Sequence, residues 1–285
     1  MRHIFSLVIA GLVFGGAALV YAQVFSYQSD VTVPAKPAVF VLATNTVPTI
    51  SAPAFAIFDV ESGQVLVSAD ADTPHPIASV TKLFTAVAIL ETFNPESTTT
   101  ITWTDVAGEG ESGKLHPSEV YSYRGLLFPL LLESSNDAAD TLERATGEKL
   151  LPAMATVAAE YGAVHSNFFD ASGLSPKNIS TVTDLVVFSR AVGKKYPFVY
   201  DVSTLPQYIG AYTGWRNNNP VSQADEYRGG KHGYTPAAGR TLVAQFSEQF
   251  KSGDRTIGYI ILGSDNLATD VATLRNYVAE MVQYQ

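Results

Sequence analysis

Ser79 and Lys82 stand three residues apart in the run Pro76-Ile77-Ala78-Ser79-Val80-Thr81-Lys82-Leu83-Phe84. On a helix that spacing brings both side chains to one face. The surrounding residues are apolar, so the helix is expected to be buried nearly all round. Burial disfavours an ammonium, and a neutral lysine can take the proton of a neighbouring serine hydroxyl. The pair therefore has the makings of an activated nucleophile. Taken alone, the plainer reading is better: a serine N-cap followed by a solvated lysine. Two further clusters carry polar groups of the same kind. Ser134-Ser135-Asn136 places a hydroxyl and an amide at an expected helix–helix junction, where they can relay a proton and hold a carbonyl, or simply cap a helix. Gly229-Gly230-Lys231-His232-Gly233-Tyr234 places a lysine among glycines that let a ligand's backbone approach closely. The plain alternative there is a solvated lysine guarding a sheet edge.

These groups need elements to hold them. Residues 54–60 and 64–68 read as strands joined at Glu61-Ser62-Gly63, a hairpin. The Ser79 helix follows Pro74 and Pro76, and a short Thr-rich strand is expected over 98–103. The acidic, glycine-rich stretch 108–117 reads as loop. Residues 123–133 form an apolar helix in which Pro129 should mark the first turn or a kink. Further helices are expected over 136–146, 148–161 and 183–194. Strands return over 228–233, 240–246 and 256–262, with a turn at 251–254. A closing helix, capped by Ser264-Asp265-Asn266, carries Leu267, Val271, Leu274, Val278 and Met281 at helical spacing. Hairpin, helices, strands and helix in that order predict one antiparallel sheet built from both chain ends, with a helical lobe inserted between them.

The totals exclude several chemistries. With 285 residues, 46% of them hydrophobic and 16% charged, the chain can bury a substantial core. A formal net charge of −9 argues against a nucleic-acid partner. The absence of cysteine excludes disulfides and thiolate catalysis. The five histidines (His3, His75, His116, His165 and His232) never pair at ligand spacing, which argues against a zinc site. At the N-terminus Arg2 and His3 precede an uncharged apolar run, residues 4–20, ending Val20-Tyr21-Ala22-Gln23. Residues 1–22 read as an export signal cleaved after Ala22, or as an uncleaved membrane anchor. Residues 23–53, punctuated by Pro34, Pro37, Pro48 and Pro53, read as an extended linker, with an edge strand near 39–42. Either reading of the leader puts residues 54–285 outside the cytoplasm.

Ser-x-x-Lys, Ser-x-Asn and Lys-x-Gly occur here in one order along one chain, the motif set of penicillin-binding proteins and class A β-lactamases. Over residues 54–282 the sequence resembles the serine D-alanyl-D-alanine carboxypeptidases, the low-molecular-mass penicillin-binding proteins. The likeness extends to Leu131-Leu132-Glu133-Ser134-Ser135-Asn136-Asp137-Ala138-Ala139, to Phe168-Phe169-Asp170-Ala171-Ser172-Gly173-Leu174 and to Gly233-Tyr234-Thr235-Pro236-Ala237-Ala238-Gly239.

The resemblance implies an α/β (α+β) fold of the β-lactamase/transpeptidase kind, an antiparallel sheet flanked by helices. It implies that Ser79 is the nucleophile and Lys82 its base, with Ser134 relaying protons and Asn136 binding the substrate amide. It implies that Lys231 is a positioning cation beside Ser134, and that the backbone amides of Ser79 and Tyr234 form the oxyanion hole. Gly233 belongs to the same substrate-binding strand. Arg216, ahead of that strand, is a candidate for the substrate's terminal carboxylate. Peptidoglycan pentapeptide stems are the implied substrates, and β-lactam antibiotics the implied covalent inhibitors. No cofactor or metal is implied, and membrane contact would come through the N-terminal segment.

One position departs from the pattern: His232 stands where the family carries Thr or Ser. Lys231 and Arg216 should oppose protonation of this imidazole in the empty site and a bound substrate carboxylate should favour it, so substrate recognition is expected to vary between about pH 5 and 8. The rival readings are a class A-like β-lactamase and a catalytically impaired wall-binding protein. Glu143, Glu148, Glu160 and Glu226 all lack the Glu-x-x-Leu-Asn surroundings of a deacylating glutamate, and only His232 favours impairment.

Overall fold

The structure is a computed structural model and describes residues 39–43, 46–108, 110 and 113–284. The proposed signal or anchor and most of the linker ahead of residue 39 lie outside the described residues. In chain order the elements begin with β1 (Phe40–Leu42), β2 (Ala54–Asp59), β3 (Val65–Ala69) and β4 (His75–Pro76). A 3₁₀ turn over Ala78–Val80 runs into α1 (Thr81–Thr92), followed by β5 (Thr98–Thr100) and β6 (Val120–Ser122). The helical lobe comprises α2 (Tyr123–Leu132), α3 (Asn136–Thr146), α4 (Leu150–Glu160), β7 (Ile179–Ser180), α5 (Val182–Lys195) and α6 (Pro197–Thr204). The chain then forms β8 (Gln207–Ile209), β9 (Gly214–Arg216), β10 (Tyr227–Thr235), β11 (Gly239–Phe250), β12 (Gly253–Ser264), α7 (Leu267–Met281) and β13 (Val282–Tyr284).

Five strands make an antiparallel sheet in the order β10-β11-β12-β2-β3, uniting both ends of the chain as expected. All six residues of β2 are buried, because the sheet is covered on both faces. Side chains alternate between the faces with the strand period. Ala54, Ala56, Phe58 and Ile260 join the core of the helical lobe, with Leu83, Phe84 and Phe188. Phe55, Ile57, Tyr259 and Ile261 point the other way and pack with Leu267, Val271, Leu274 and Val278 of α7. Helix α1, which follows the nucleophile candidate, is buried from Thr81 to Ile89. Phe84 on it stacks on Phe188 of α5 with ring centroids 3.7 Å apart.

One expectation changes, and the alternatives for Pro129 narrow. The stretch read as an unpacked linker is held to the body from Phe40 onward. Strand β1 pairs with β13, the Phe40 ring stacks on Tyr284, and the Asp270 carboxylate accepts hydrogen bonds from Ser51 N, Ser51 Oγ and Ala52 N. The edge strand foreseen near 39–42 is thus present, with a C-terminal partner. Pro129 lies in the interior of α2, not in its first turn. Its carbonyl accepts the amides of both Glu133 and Ser135 as the chain turns towards α3. Helix α6 and the β8–β9 hairpin occupy a stretch for which no element was foreseen. Pro197 starts α6 at a position where its missing N–H is harmless.

Candidate active site

The residue before the nucleophile candidate is held in an unusual conformation. Ala78 has φ +47°, in the left-handed region that a residue with a Cβ rarely adopts. The surroundings over-determine it. Ile77 N–H donates to Asn178 O (3.0 Å), and Thr241 Oγ1 donates to Ile77 O (2.9 Å). Two glycines press on the following peptide. A Cβ on Gly173 would lie 2.0 Å from Ala78 O, and one on Gly233 would lie 2.5 Å from Ser79 N. Only glycine permits these approaches. Ser79 itself is half-buried, so its hydroxyl keeps access to solvent.

Lys82 lies one turn on and is fully buried. Its Nζ is 3.0 Å from Ser79 Oγ, 2.8 Å from Asn136 Oδ1 and 2.6 Å from Ser172 O. This geometry accommodates both protonation states. As an ammonium, Nζ donates to all three oxygens. As an amine it gives its two N–H groups to Asn136 Oδ1 and Ser172 O, which can only accept, and its lone pair faces the Ser79 hydroxyl. The carbonyl and the amide thereby aim the lone pair.

Ser172 O is placed by the segment 168–178. Asp170 folds this segment around its carboxylate, accepting from Ser172 N (2.9 Å), Ser172 Oγ (2.9 Å), Gly173 N (2.5 Å) and Ser175 N (2.7 Å). Asn178, fully buried, closes the loop through Phe169 N (2.7 Å) and Asp170 O (2.9 Å), and reaches Thr81 Oγ1 of α1 (3.2 Å). Ser172, Asp170, Asn178, Gly173 and Thr241 were not singled out as working residues. The Asp-x-Ser-Gly turn signal was legible within the family-like segment, but a main-chain carbonyl acting on Lys82 leaves no mark on side-chain identity.

Ser134 and Asn136 are both buried, in the tight junction between α2 and α3. Ser134 has φ +63°. Ser135 is the N-cap of α3, its Oγ accepting from Ala138 N at 3.0 Å. The capping and functional readings of this motif are therefore compatible: the middle residue caps, and Asn136 meets Lys82. Residues 113–114 approach the junction, where a Cβ on Gly113 would lie 2.2 Å from Ser135 Oγ. Trp215 Nε1–H holds them by donating to Gly113 O (2.6 Å), and Lys114 pairs with Glu133.

Lys231 on β10 is 1% exposed, which overturns the solvated-edge alternative; its Nζ donates to His232 O at 2.7 Å. His232 pairs across the sheet with Leu242, and its Nδ1 is buried without a hydrogen-bond partner. Burial, with the charges of Lys231, Lys82 and Arg240, pushes its pKa down to about 2. The imidazole of the ligand-free site is therefore neutral between about pH 5 and 8, as the neighbouring cations led one to expect. Tyr234 is exposed, with the Arg240 guanidinium 5.2 Å from its ring centroid. Arg216, at the end of β9, is held by its main chain: its N–H donates to Glu133 Oε1 at 3.1 Å, while the residue is exposed. The structure thus joins Ser79, Lys82, Asn136 and Gly233 directly, and brings Arg216 beside the residue preceding Ser134.

The model of the D-alanyl-D-alanine carboxypeptidase family matches residues 42–265. The chain belongs to that family. It is 32% identical over 213 residues to a D-alanyl-D-alanine carboxypeptidase of Mycobacterium tuberculosis, covering 70% of this chain and 72% of that one. It is 31% identical to a D-alanyl-D-alanine endopeptidase of Haemophilus influenzae, covering 76% and 77%. Among solved structures, a D-alanyl-D-alanine carboxypeptidase from M. tuberculosis H37Rv superposes with a TM-score of 0.74 at 29% identity, over 83% of this chain and 95% of that one. The Streptomyces K15 DD-transpeptidase gives 0.74 at 25%, over 81% and 98%. The carboxypeptidase family accounts for the sheet, the lobe and the three motifs together, and makes this protein a serine hydrolase of that kind. The lactamase and impaired-binder readings are not favoured.

Proposed function

We propose that Ser79 is the acylated residue of a D-alanyl-D-alanine carboxypeptidase acting on peptidoglycan pentapeptide stems. Ser79 Oγ attacks the carbonyl of the penultimate D-alanine while Lys82 Nζ takes its proton. The oxyanion is held by the amides of Ser79 and Tyr234. The C–N bond then breaks, and the departing D-alanine nitrogen receives a proton through Ser134. Water attacks the ester, returns Ser79 Oγ–H and releases the shortened stem. Asn136 holds the substrate amide while Lys231 and Arg216 face its carboxylate, with neutral His232 donating one hydrogen bond where the family uses a hydroxyl. A β-lactam acylates the same oxygen. The observation that carries this reading is the Lys82 lone-pair geometry, 3.0 Å from Ser79 Oγ and oriented by two acceptors.

The enzyme works outside the cytoplasm, delivered or held by residues 4–20. Among the described residues no helix is long and apolar enough to cross a membrane. A mature protein beginning at Gln23 would refute the anchor.

Labelling with a fluorescent penicillin tests the nucleophile. The parent protein takes a stable covalent label and Ser79→Ala takes none while keeping its circular dichroism spectrum. A labelled Ser79→Ala protein would mean another residue is acylated. Mass spectrometry of products from a pentapeptide and from a cross-linked stem dimer separates carboxypeptidase from endopeptidase action.

A further inference from the structure

A second concavity adjoins the Ser134–Asn136 junction. It is a cleft of about 490 Å³, within the usual size range of small-ligand sites. Trp103, Leu115, Lys114, His116 and Asp137 line it. Two of these residues are anomalous. Trp103 is 79% exposed, although tryptophan is on average a highly buried residue. Asp137 is the reverse: it is 3% exposed, and its buried Oδ2 has no hydrogen-bond partner. Buried polar atoms are almost always matched, so an orphaned acceptor lining a cleft calls for a donor from outside.

The lining narrows the chemistry. An exposed indole offers a flat apolar face, Asp137 offers a recessed acceptor, and Lys114 and His116 offer donors at the rim. A cationic ligand would meet Lys114, and an anionic one would meet Asp137. A neutral ring with one apolar face and hydroxyl and amide groups at its edge satisfies all of them: the face stacks on Trp103, a hydroxyl donates to Asp137 Oδ2, and a carbonyl accepts from the rim. The cleft is also coupled to the peptide site. Asp137 directly follows Asn136, and Lys114 pairs with Glu133, the residue before Ser134.

We propose that this cleft is a saccharide subsite that takes one N-acetylhexosamine ring of the glycan strand from which the stem peptide hangs. The identity of the polymer rests on the function proposed above; the binding itself does not, and it can be measured without turnover.

The sequence contains two tryptophans, and the other, Trp215, is 1% exposed. Iodide quenching of fluorescence therefore reports on Trp103. Titrating the full chain with the β-1,4-linked tetramer of N-acetylglucosamine should shift emission to the blue and protect the exposed fraction from iodide. Calorimetry with the same tetramer should show binding lost in Trp103→Ala and weakened at least about tenfold in Asp137→Ala. Penicillin labelling of Trp103→Ala should match the parent. Absence of protection at tens of millimolar tetramer, or unchanged affinity in Trp103→Ala, would overturn the proposal. So would protection by 1,5-diaminopentane without protection by the tetramer, which would make this an ammonium site. Normal labelling without saccharide binding removes this subsite and leaves the peptidase reading intact. Saccharide binding without labelling does the opposite.

Discussion

The polar groups around Ser79 are matched to very different degrees from one element to another. On the side of residues 168–178, one carboxylate, Asp170, receives the amides of Ser172, Gly173 and Ser175 and the Ser172 hydroxyl, and Asn178 ties both ends of the turn. Elsewhere around the site, on β10 and on α3, His232 Nδ1 and Asp137 Oδ2 are buried with no partner. The first side needs nothing from a ligand. It fixes Ser172 O, and through it Lys82, before any substrate arrives, which is the preorganisation that electrostatic catalysis rests on. The unmatched groups keep hydrogen-bonding capacity in reserve at a standing cost to the empty protein. Damage to the matched side should therefore cost stability and chemistry together, and changes to the unmatched groups should alter recognition or even stabilise the fold.

The largest effect is expected from Asp170→Asn. An amide cannot accept all the main-chain donors that the carboxylate accepts, so the turn loosens. We expect a loss of roughly 2–4 kcal/mol by urea unfolding and acylation slowed about a hundredfold. A variant that is destabilised yet acylates normally would show that Ser172 O does not orient Lys82. Gly233→Ala comes next. Its Cβ would meet Ser79 N at 2.5 Å, so the nucleophile's peptide must move. Acylation should fall about a hundredfold, since small displacements in a reacting pair are costly, and the melting temperature should fall as well because the buried contact is overpacked. Equal acylation in the two proteins would mean that the Ser79 amide tolerates displacement.

His232→Thr tests the unmatched groups through pH. The folded pKa, about 2, lies below the unfolded value of 6.5, so the unfolded chain binds the extra proton between those values. Stability tied to neutral His232 is therefore complete above pH 6.5 and drains away as pH falls towards 2. Replacement by threonine should flatten that dependence, by roughly 1–2 kcal/mol at pH 5, in melting curves. The kcat/KM profiles between about pH 5 and 8 should run parallel, because the ligand-free imidazole does not titrate there. A histidine-dependent inflection in that window would restore the titrating reading.

The smallest effect has the opposite sign. Burial, with Asp140 and Asp105 nearby, raises Asp137 to about 6. An acid raised on folding contributes stability that is lost as pH rises through the folded value. Asp137→Asn should therefore stabilise the protein at pH 7 by roughly 1 kcal/mol and be neutral near pH 4, in the same melting series. Destabilisation at pH 7 would mean that the carboxylate is satisfied in solution.

The sequence made the sheet's composition legible because strands and caps announce themselves locally: the short apolar run of β2 bounded by a turn, and Asn266 capping α7 with Thr269 N. The three motifs were legible because side chains carry their chemistry. The Asp170 turn was visible as text but not as a device, since its working atom is a peptide oxygen. The buried state of Lys231 was not legible either, because burial on β10 depends on the packing of α6, 3₁₀ turn and sheet together, not on its glycine neighbours. The folding-back of residues 40–53 onto Asp270 and β13 was hidden for the same reason: a proline-dotted segment looks extended whether or not something distant binds it.

The position of β12 between β11 and β2 has a consequence in time. Ala56 pairs with Ile260, so the strand that completes the β2–β3 hairpin is made long after it. At about 5–20 residues per second, synthesis of the intervening two hundred or so residues takes roughly 10–40 s. Throughout that interval a six-residue apolar strand has one covered side and one bare edge, the arrangement most prone to mispairing with another chain. The nascent hairpin must be shielded, or wait unstructured, until β12 exists. Gly233 and Thr241, which reach Ser79 and Ile77, belong to a segment made nearly as late, so under the proposed role of Ser79 we expect a β-lactam to label only chains in which β10 and β11 have docked. Covalent labelling would then report a late step of folding.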